Sequence, residues 1–254
     1  MDRKYKLLED DYINYRGKTL YRIKALRDFG DVLEGDVGGY IENKSNLSQR
    51  GNCWVFDNAK AYGNAKILGN AEVLDNSEIY GRASINDNAI ASGKSKIFGY
   101  AHVYNNAKVC GNATVWEDAQ VYNNAKICGN TEVCGNVLIH GNAKILGNAK
   151  VCEDAEVHGY AKILGNAIIN KGTIIGEVSI PYKNIFQHQC KKRVLTAILT
   201  EDNKILYSIG CQENITEEEF IYRIHNKDGG LEKNPYREEY LRLIPLINIY
   251  FRGE

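Results

Sequence analysis

The sequence predicts a mainly β protein built as a linear stack of short strands, and three observations carry that prediction. An aliphatic residue recurs at every sixth position from Val55 to Ile169, with Ala61 and Ala91 as the small substitutes. Two residues before each stands a small side chain, mostly alanine, as at Ala59, Ala65, Ala71, Ser77, Ala83 and Ala89. Between these pairs comes Gly-Asn or a close equivalent, as at Gly63-Asn64 and Gly69-Asn70. A period of six fits neither a 3.6-residue helix nor a heptad, and Gly-Asn at that spacing would break any helix. A fixed short period implies a core that grows by stacking repeats.

Each hexad can be numbered from its aliphatic residue, so that Ile67, Leu68, Gly69, Asn70, Ala71 and Glu72 hold positions one to six. Strand alternation then points positions five and one inward and positions six and two outward. Positions three and four form a corner, where Gly and Asn tolerate left-handed backbone. Residues 1–36 lack the repeat; one β-like run, Thr19 to Leu26, precedes turn material from Asp28 to Asp36. This segment is expected to cap the first repeat, whose open edge would otherwise invite aggregation. Irregular repeats begin near Val37, and Gln49 and Arg50 insert two residues before regular phasing starts at Cys53.

The repeat domain is expected over residues 37–180, with its frame decaying through Thr173, Ile175, Val178 and Ile180 and closed by Pro181. Residues 181–254 form a separate module by composition. Arg193 to Leu199 and Lys204 to Cys211 predict a hairpin. Thr216 followed by Glu219 is a capping box for a helix carrying Phe220, Ile221 and Ile224. A second helix is expected to open at Asn234 with Pro235 in its first turn, to carry Tyr240, Leu241 and Ile244, and to end or kink at Pro245. The module is small for independence, so it should pack against the repeats.

The 254 residues carry 32 Lys plus Arg and 32 Asp plus Glu, so no net field favours nucleic acid or an anionic membrane. The opening MDRKYKLLEDDYINY has no apolar core of signal-peptide length, and no run in the chain could span a bilayer. A cytoplasmic location is expected. Seven cysteines, several at repeat positions, are expected to be reduced thiols serving as small apolar side chains.

With those repeats in place, the chain resembles the hexapeptide-repeat family. That resemblance implies a left-handed parallel β-helix with three hexads per triangular coil, and on the order of twenty hexads would make about six to seven coils. The opening LYRIKALRDFGDVLEGDVGGYIE and the run GNCWVFDNA further resemble uncharacterised enterobacterial and phage proteins of this fold, some labelled transferases. Such labels rest on fold, and fold does not fix chemistry.

Three hexads per coil stack residues eighteen apart in columns roughly 4.8 Å apart. Face A then presents Tyr62, Tyr80, Phe98 and Trp116, followed by Cys134 and Cys152. Face B presents Tyr104, Tyr122, His140 and His158, with His102 and Glu156 beside them. Face C carries Lys108, Lys126, Lys144 and Lys162 in one column beside Cys110, Cys128, Leu146 and Leu164. Outward aromatic columns predict an interface, either the homotrimer seam usual in the family or a surface covered by terminal segments; a stacking platform for a planar ligand is the alternative. The corner between A and B abandons Gly-Asn for Gly81-Arg82, Gly99-Tyr100, Glu117-Asp118 and Glu153-Asp154, which makes Tyr100 a further contact candidate. The lysine column either splays into water or binds an anion such as phosphate or coenzyme A. Cys110 with Cys128, and Cys134 with Cys152, lie close enough in this scheme to be bridged, but thiols are expected.

Two functions follow. The first is a non-enzymatic binding or scaffold protein, phage or mobile-element related, that assembles with itself and takes a host protein or sequesters a small anionic or nucleotide-like ligand, with no cofactor. The alternative is an acyltransferase using acetyl-coenzyme A, with His140 or His158 as general base and Glu156, flanking His158, as its orienting carboxylate. The regular repeat carries no inserted loop, which in the family usually shapes the acceptor site and so weighs toward the scaffold. No metal site is expected, since two stacked histidines lack a third ligand.

Overall fold

The computed structural model describes residues 3–174, 179–180, 185–190, 193–200, 203–209, 212–226 and 237–252. Its body is a parallel β-helix of about seven coils, assembled from two-residue strands such as Lys96–Ile97 and Thr114–Val115. From Trp54–Val55 to Lys144–Ile145 the strands pair in parallel with the residues eighteen positions on: Lys96 with Thr114, His102 with Gln120, Lys108 with Lys126. Three hexads therefore close one coil, and each column runs along the axis.

The inward positions behave as the alternation requires. Val73, Ile79, Ile85, Ile97, Val103, Val109 and Val115 are fully buried, as are Ala71, Ala83, Ala89 and Ala101. One small and one branched side chain per hexad fill most of the interior, and Val137 beside Ile139 is an exception in which both are branched and fully buried.

The two corner positions divide the work. Position three takes the left-handed backbone, at Gly63 (φ 68°), Asp75 (φ 60°), Asn105 (φ 59°) and Glu117 (φ 59°) alike. Gly99 must stay glycine for a further reason: a Cβ there would stand 2.7 Å from the Glu117 backbone nitrogen one coil on. Position four instead builds side-chain amide ladders. Asn70 donates to Asn88 at 3.1 Å and Asn88 to Asn106 at 3.2 Å, and a second ladder joins Asn112, Asn130, Asn148 and Asn166. The Asn repeat thus satisfies polar groups along an edge as well as turning the chain.

At the N-terminal end, Tyr5–Tyr15 and Lys18–Ala25 pair antiparallel, and Val37–Ile41 joins the hairpin to the first coil through Tyr40↔Lys60 and Ile41↔Ala61. The run from Thr19 was expected to be a strand; its partner Tyr5–Tyr15 was not. That partner carries Glu9, Asp10 and Asp11 with mostly exposed side chains, so it lacks an apolar alternation and is held by backbone pairing. Glu42 ties this region together: Lys18 Nζ lies 2.7 Å from its Oε1, and the Gly63 N–H donates to Oε2 at 2.6 Å.

At the other end, the strand Lys150–Val157 continues around the corner at Glu153 (φ 59°) and pairs with Ile168–Ile174. Ile185–Cys190, Arg193–Leu199, Ile205–Ile209 and Gln212–Thr216 form an antiparallel sheet, which includes the expected hairpin. Ile198 joins the β-helix core, with Leu206 packed against it, so the module seats on the stack as expected. Helix α1, Glu217–His225, is capped by Thr216, whose side chain accepts from the Glu219 N–H at 3.2 Å. Helix α2, Arg237–Arg252, runs through Pro245 and is not ended there. Pro245 lies on the exposed side, and burial of Leu243, Ile244 and Ile247 in the module core offsets the interrupted helical bond. Pro181, Cys211, Asn234 and Pro235, on which other boundary expectations fell, lie outside the described residues. Among the described residues no helix is long and apolar enough to cross a membrane.

Two outcomes follow from this packing. Replacing Ile97 with alanine should destabilise the chain by ~2–5 kcal/mol, since a rigid coil cannot collapse onto the void; urea midpoints of the two proteins measure it. Burial pushes the Glu42 carboxyl up, but Lys18 and the Gly63 amide outweigh it and hold the group below its ordinary 4.5. A depressed folded value means that the stabilisation is complete above 4.5 and is lost as pH falls through the lower folded value. Glu42→Gln should therefore flatten the acid limb of stability against pH, and an unchanged limb would assign it to other carboxylates.

Candidate functional site

Columns of outward side chains make two aromatic ladders. On face A, Tyr62, Tyr80, Phe98 and Trp116 stack with interplanar angles of 1°, 4° and 3°. On face B, Tyr104, Tyr122, His140 and His158 stack at centroid spacings of 5.0, 4.7 and 4.7 Å. Both ladders match the columns predicted from an eighteen-residue coil, because parallel pairing repeats each side chain directly above its predecessor.

The chain's own hairpin takes the first part of face A. Tyr15 packs edge-on against Tyr62, and Arg16 lies 5.8 Å from the centre of the Tyr80 ring. Tyr15 and Tyr62 both donate to Glu78, at 2.9 and 3.0 Å, and Arg16 reaches the same carboxylate at 3.9 Å. Burial, then the Glu78 charge, pushes the Tyr62 hydroxyl well above its usual range. Tyr62 is thus buried by the chain's own hairpin, whereas Tyr80, which Arg16 overlies, and Phe98 and Trp116 beyond it are half-buried. At the neighbouring corner Tyr100 is exposed and accepts from Arg82 at 3.2 Å.

Face B keeps its ladder half-open along its length. His140 Nε2 lies 3.0 Å from Glu156 Oε1. The expected carboxylate is therefore present but serves the other histidine. Glu156 and His158 flank inward Val157 on one coil, and Leu138 pairs with Glu156 in register, so Glu156 reaches diagonally to His140 on the coil before. The side chains of His140 and Glu156 are 21% and 37% exposed, open enough for a substrate to touch them. Burial, then the Glu156 charge, pushes the Tyr122 hydroxyl up, so the same carboxylate marks the local field. His102 stands apart, exposed, with Nδ1 2.6 Å from Ser84 Oγ.

Donor atoms of His140, Glu156 and His158 all lie within 4.8 Å of one another, which supplies the third ligand that the sequence columns lacked. The two rings, however, are parallel to within 4° and stacked face to face. One ion cannot lie in both ring planes unless a ring turns out of the stack, so the geometry serves proton transfer better than coordination. Along the adjoining corner, a shallow groove of about 500 Å³ is lined by Asp87, Asn88, Asn105, Asn106, Asn123 and Asn124 among others.

The remaining candidates separate. Lys108, Lys126, Lys144 and Lys162 are exposed in their column. Cys110 and Cys128, expected as thiols, are joined as a disulfide, since the coil stacking sets their Cα atoms 4.6 Å apart. Cys134 and Cys152 are unbridged, and burial followed by the Cys152 hydrogen bond pushes the Cys134 thiol up to about 12. Such a thiol is no nucleophile near neutral pH.

Coil geometry and repeat together define a parallel β-helix built from six-residue repeats. The chain is similar to YdcK of Escherichia coli K12, an uncharacterized acetyltransferase, with 41% identity over 73 residues. That stretch covers 26% of this chain and 22% of YdcK, so the chain spans less than a quarter of that relative's length in the comparison. No family model matches the chain.

Proposed function

We propose that the chain is an acyltransferase that uses acetyl-coenzyme A and works at face B, with His140 as general base. The His140–Glu156 pair is the observation that carries this reading, and the similarity to a protein named as an acetyltransferase supports it. Glu156 accepts the Nε2–H of His140, which leaves Nδ1 as the unprotonated nitrogen. Nδ1 takes the proton from an acceptor hydroxyl or amine as that group attacks the thioester carbonyl. The acetyl group passes from sulfur to the acceptor, and the leaving thiolate is protonated in turn. Acetyl-coenzyme A enters as a substrate, so no resident cofactor is invoked.

The ladder suggests how the site is completed. Tyr104 and Tyr122 present flat, half-buried rings beside His140, and a second copy packed along them would form a cleft between subunits, as in a homotrimer. In such an assembly the neighbour would supply the acceptor side that an inserted loop supplies elsewhere. Exposed lysines on face C offer charge for coenzyme A phosphates if the seam lies near them.

Turnover of acetyl-coenzyme A against a panel of amine and hydroxyl acceptors tests the assignment. His140→Ala should lower kcat by about 100-fold or more and Glu156→Gln by less, both with unchanged mass and stability. Full activity in His140→Ala removes the base. Tyr122→Glu should convert the oligomer to folded monomers by light scattering; an intact oligomer places the seam elsewhere.

A further inference from the structure

Lys4 is fully buried, an unusual place for an ammonium, and the residues around it explain how it is held. Cys53 occupies position five of its hexad, where alanine usually stands, so its thiol faces inward at the open end of the stack. The two-residue insertion at Gln49 and Arg50 makes room beside it: Gln49 Oε1 accepts the Lys4 backbone N–H at 2.8 Å. Lys4 Nζ donates to the Cys53 carbonyl at 2.8 Å and the Gly51 carbonyl at 3.2 Å, and lies 3.4 Å from Cys53 Sγ. The Phe29 ring centre stands 4.9 Å from Nζ, and Trp54 and Tyr5, both buried, complete the enclosure.

This pair is chemically distinct from the other cysteines. Cys53 Sγ otherwise meets the carbonyls of Ser48, Arg50 and Ile67, so its reactive neighbour among the described residues is an amine and not a second thiol. Burial pulls the Lys4 ammonium down and pushes the Cys53 thiol up, so the enclosure shifts both groups toward their neutral forms.

We infer that Lys4 and Cys53 are the two ends of an oxygen-bridged covalent crosslink, Nζ–O–Sγ, formed with dioxygen. In this step the S–H bond, one N–H bond and the O–O bond break, and S–O and N–O bonds form. Sulfur and nitrogen each give up two electrons; dioxygen takes all four, one oxygen staying in the bridge and the other leaving as water with the two displaced hydrogens. Dioxygen is small and uncharged, so the enclosure that excludes larger or charged oxidants admits it. The bridge would fasten the residues before the hairpin covalently to the first coil, at the end of the stack otherwise held by packing, strand pairing and hydrogen bonds. It does not depend on the acyl-transfer reading.

The test compares the full-length chain purified in air with the same chain prepared anaerobically under a thiol reductant. Peptide mass spectrometry of the air-exposed protein is expected to show a crosslinked peptide joining Lys4 to Cys53, heavier by one oxygen and lighter by two hydrogens than the sum of its parts. Thiol treatment should abolish it, and the urea midpoint should fall on reduction by more in the unaltered chain than in Cys53→Ala, which shares only the Cys110–Cys128 disulfide. Cys53→Ala, which restores the side chain usual at position five, should fold and lack the species, as should Lys4→Met if it folds. No linked peptide after prolonged exposure to oxygen, oxygenated Cys53 beside an unlinked Lys4, or a signal surviving in Cys53→Ala would each overturn the inference.

Discussion

Each inward side chain rests on the equivalent side chain of the next coil, and strand amides donate to carbonyls seventeen residues further along, as Lys96 N does to Ala113 O and Phe98 N to Val115 O. Through that parallel stacking, Ile79, Ile97, Val115, Val133 and Val151 form one unbroken column with no exposure. Because the core is a set of columns, a side chain's fit is decided by its neighbours above and below, and alanine at position five keeps the coil narrow enough for both. Everything else in the molecule is placed by this spacing: the amide ladders, the aromatic ladders and the disulfide.

The same constraint shapes the chemistry. Rings repeated at coil spacing must stack, so Tyr122, His140 and His158 share nearly parallel planes. Their edges point outward in a row, which is suited to a proton acceptor and poorly suited to a shared ion. Directionality comes from the diagonal: Glu156, one coil on and across the strand, reaches His140 at 3.0 Å. The ends of the stack obey a different rule, because there the core is open and needs a cover. The N-terminal hairpin supplies it with Tyr5 and Lys4 inward and Tyr15 and Arg16 laid along face A.

Much of this was readable along the chain. Position five and position one named the core residue by residue, and Thr216 with Glu219 located a helix start correctly. The first strand escaped because Glu9, Asp10 and Asp11 hide any alternation, and backbone pairing to Lys18–Ala25 leaves no side-chain signature. Pro245 does not end its helix, because a helix tolerates proline on its exposed side when Ile244 and Ile247 are buried opposite. Cys110 and Cys128 were correctly placed as neighbours, yet their bonding is a matter of geometry and redox state that spacing leaves open. For the candidate site, the columns were legible and the partner was not: Glu156 flanks His158 in sequence but bonds His140.

The sequence by itself determined the repeat, the inward and outward sides of every hexad and the membership of each column, because side-chain alternation and a six-residue period are local properties that survive without any knowledge of contacts. Tertiary structure alone decided which carboxylate serves which histidine, which aromatic rungs the hairpin covers, and that Lys4 meets Cys53 in the closed end of the stack. Those facts depend on diagonal reach between coils and on how a non-repeating segment folds back. Neither distance is encoded in a period, since side chains lean across the axis and the cap follows no repeat.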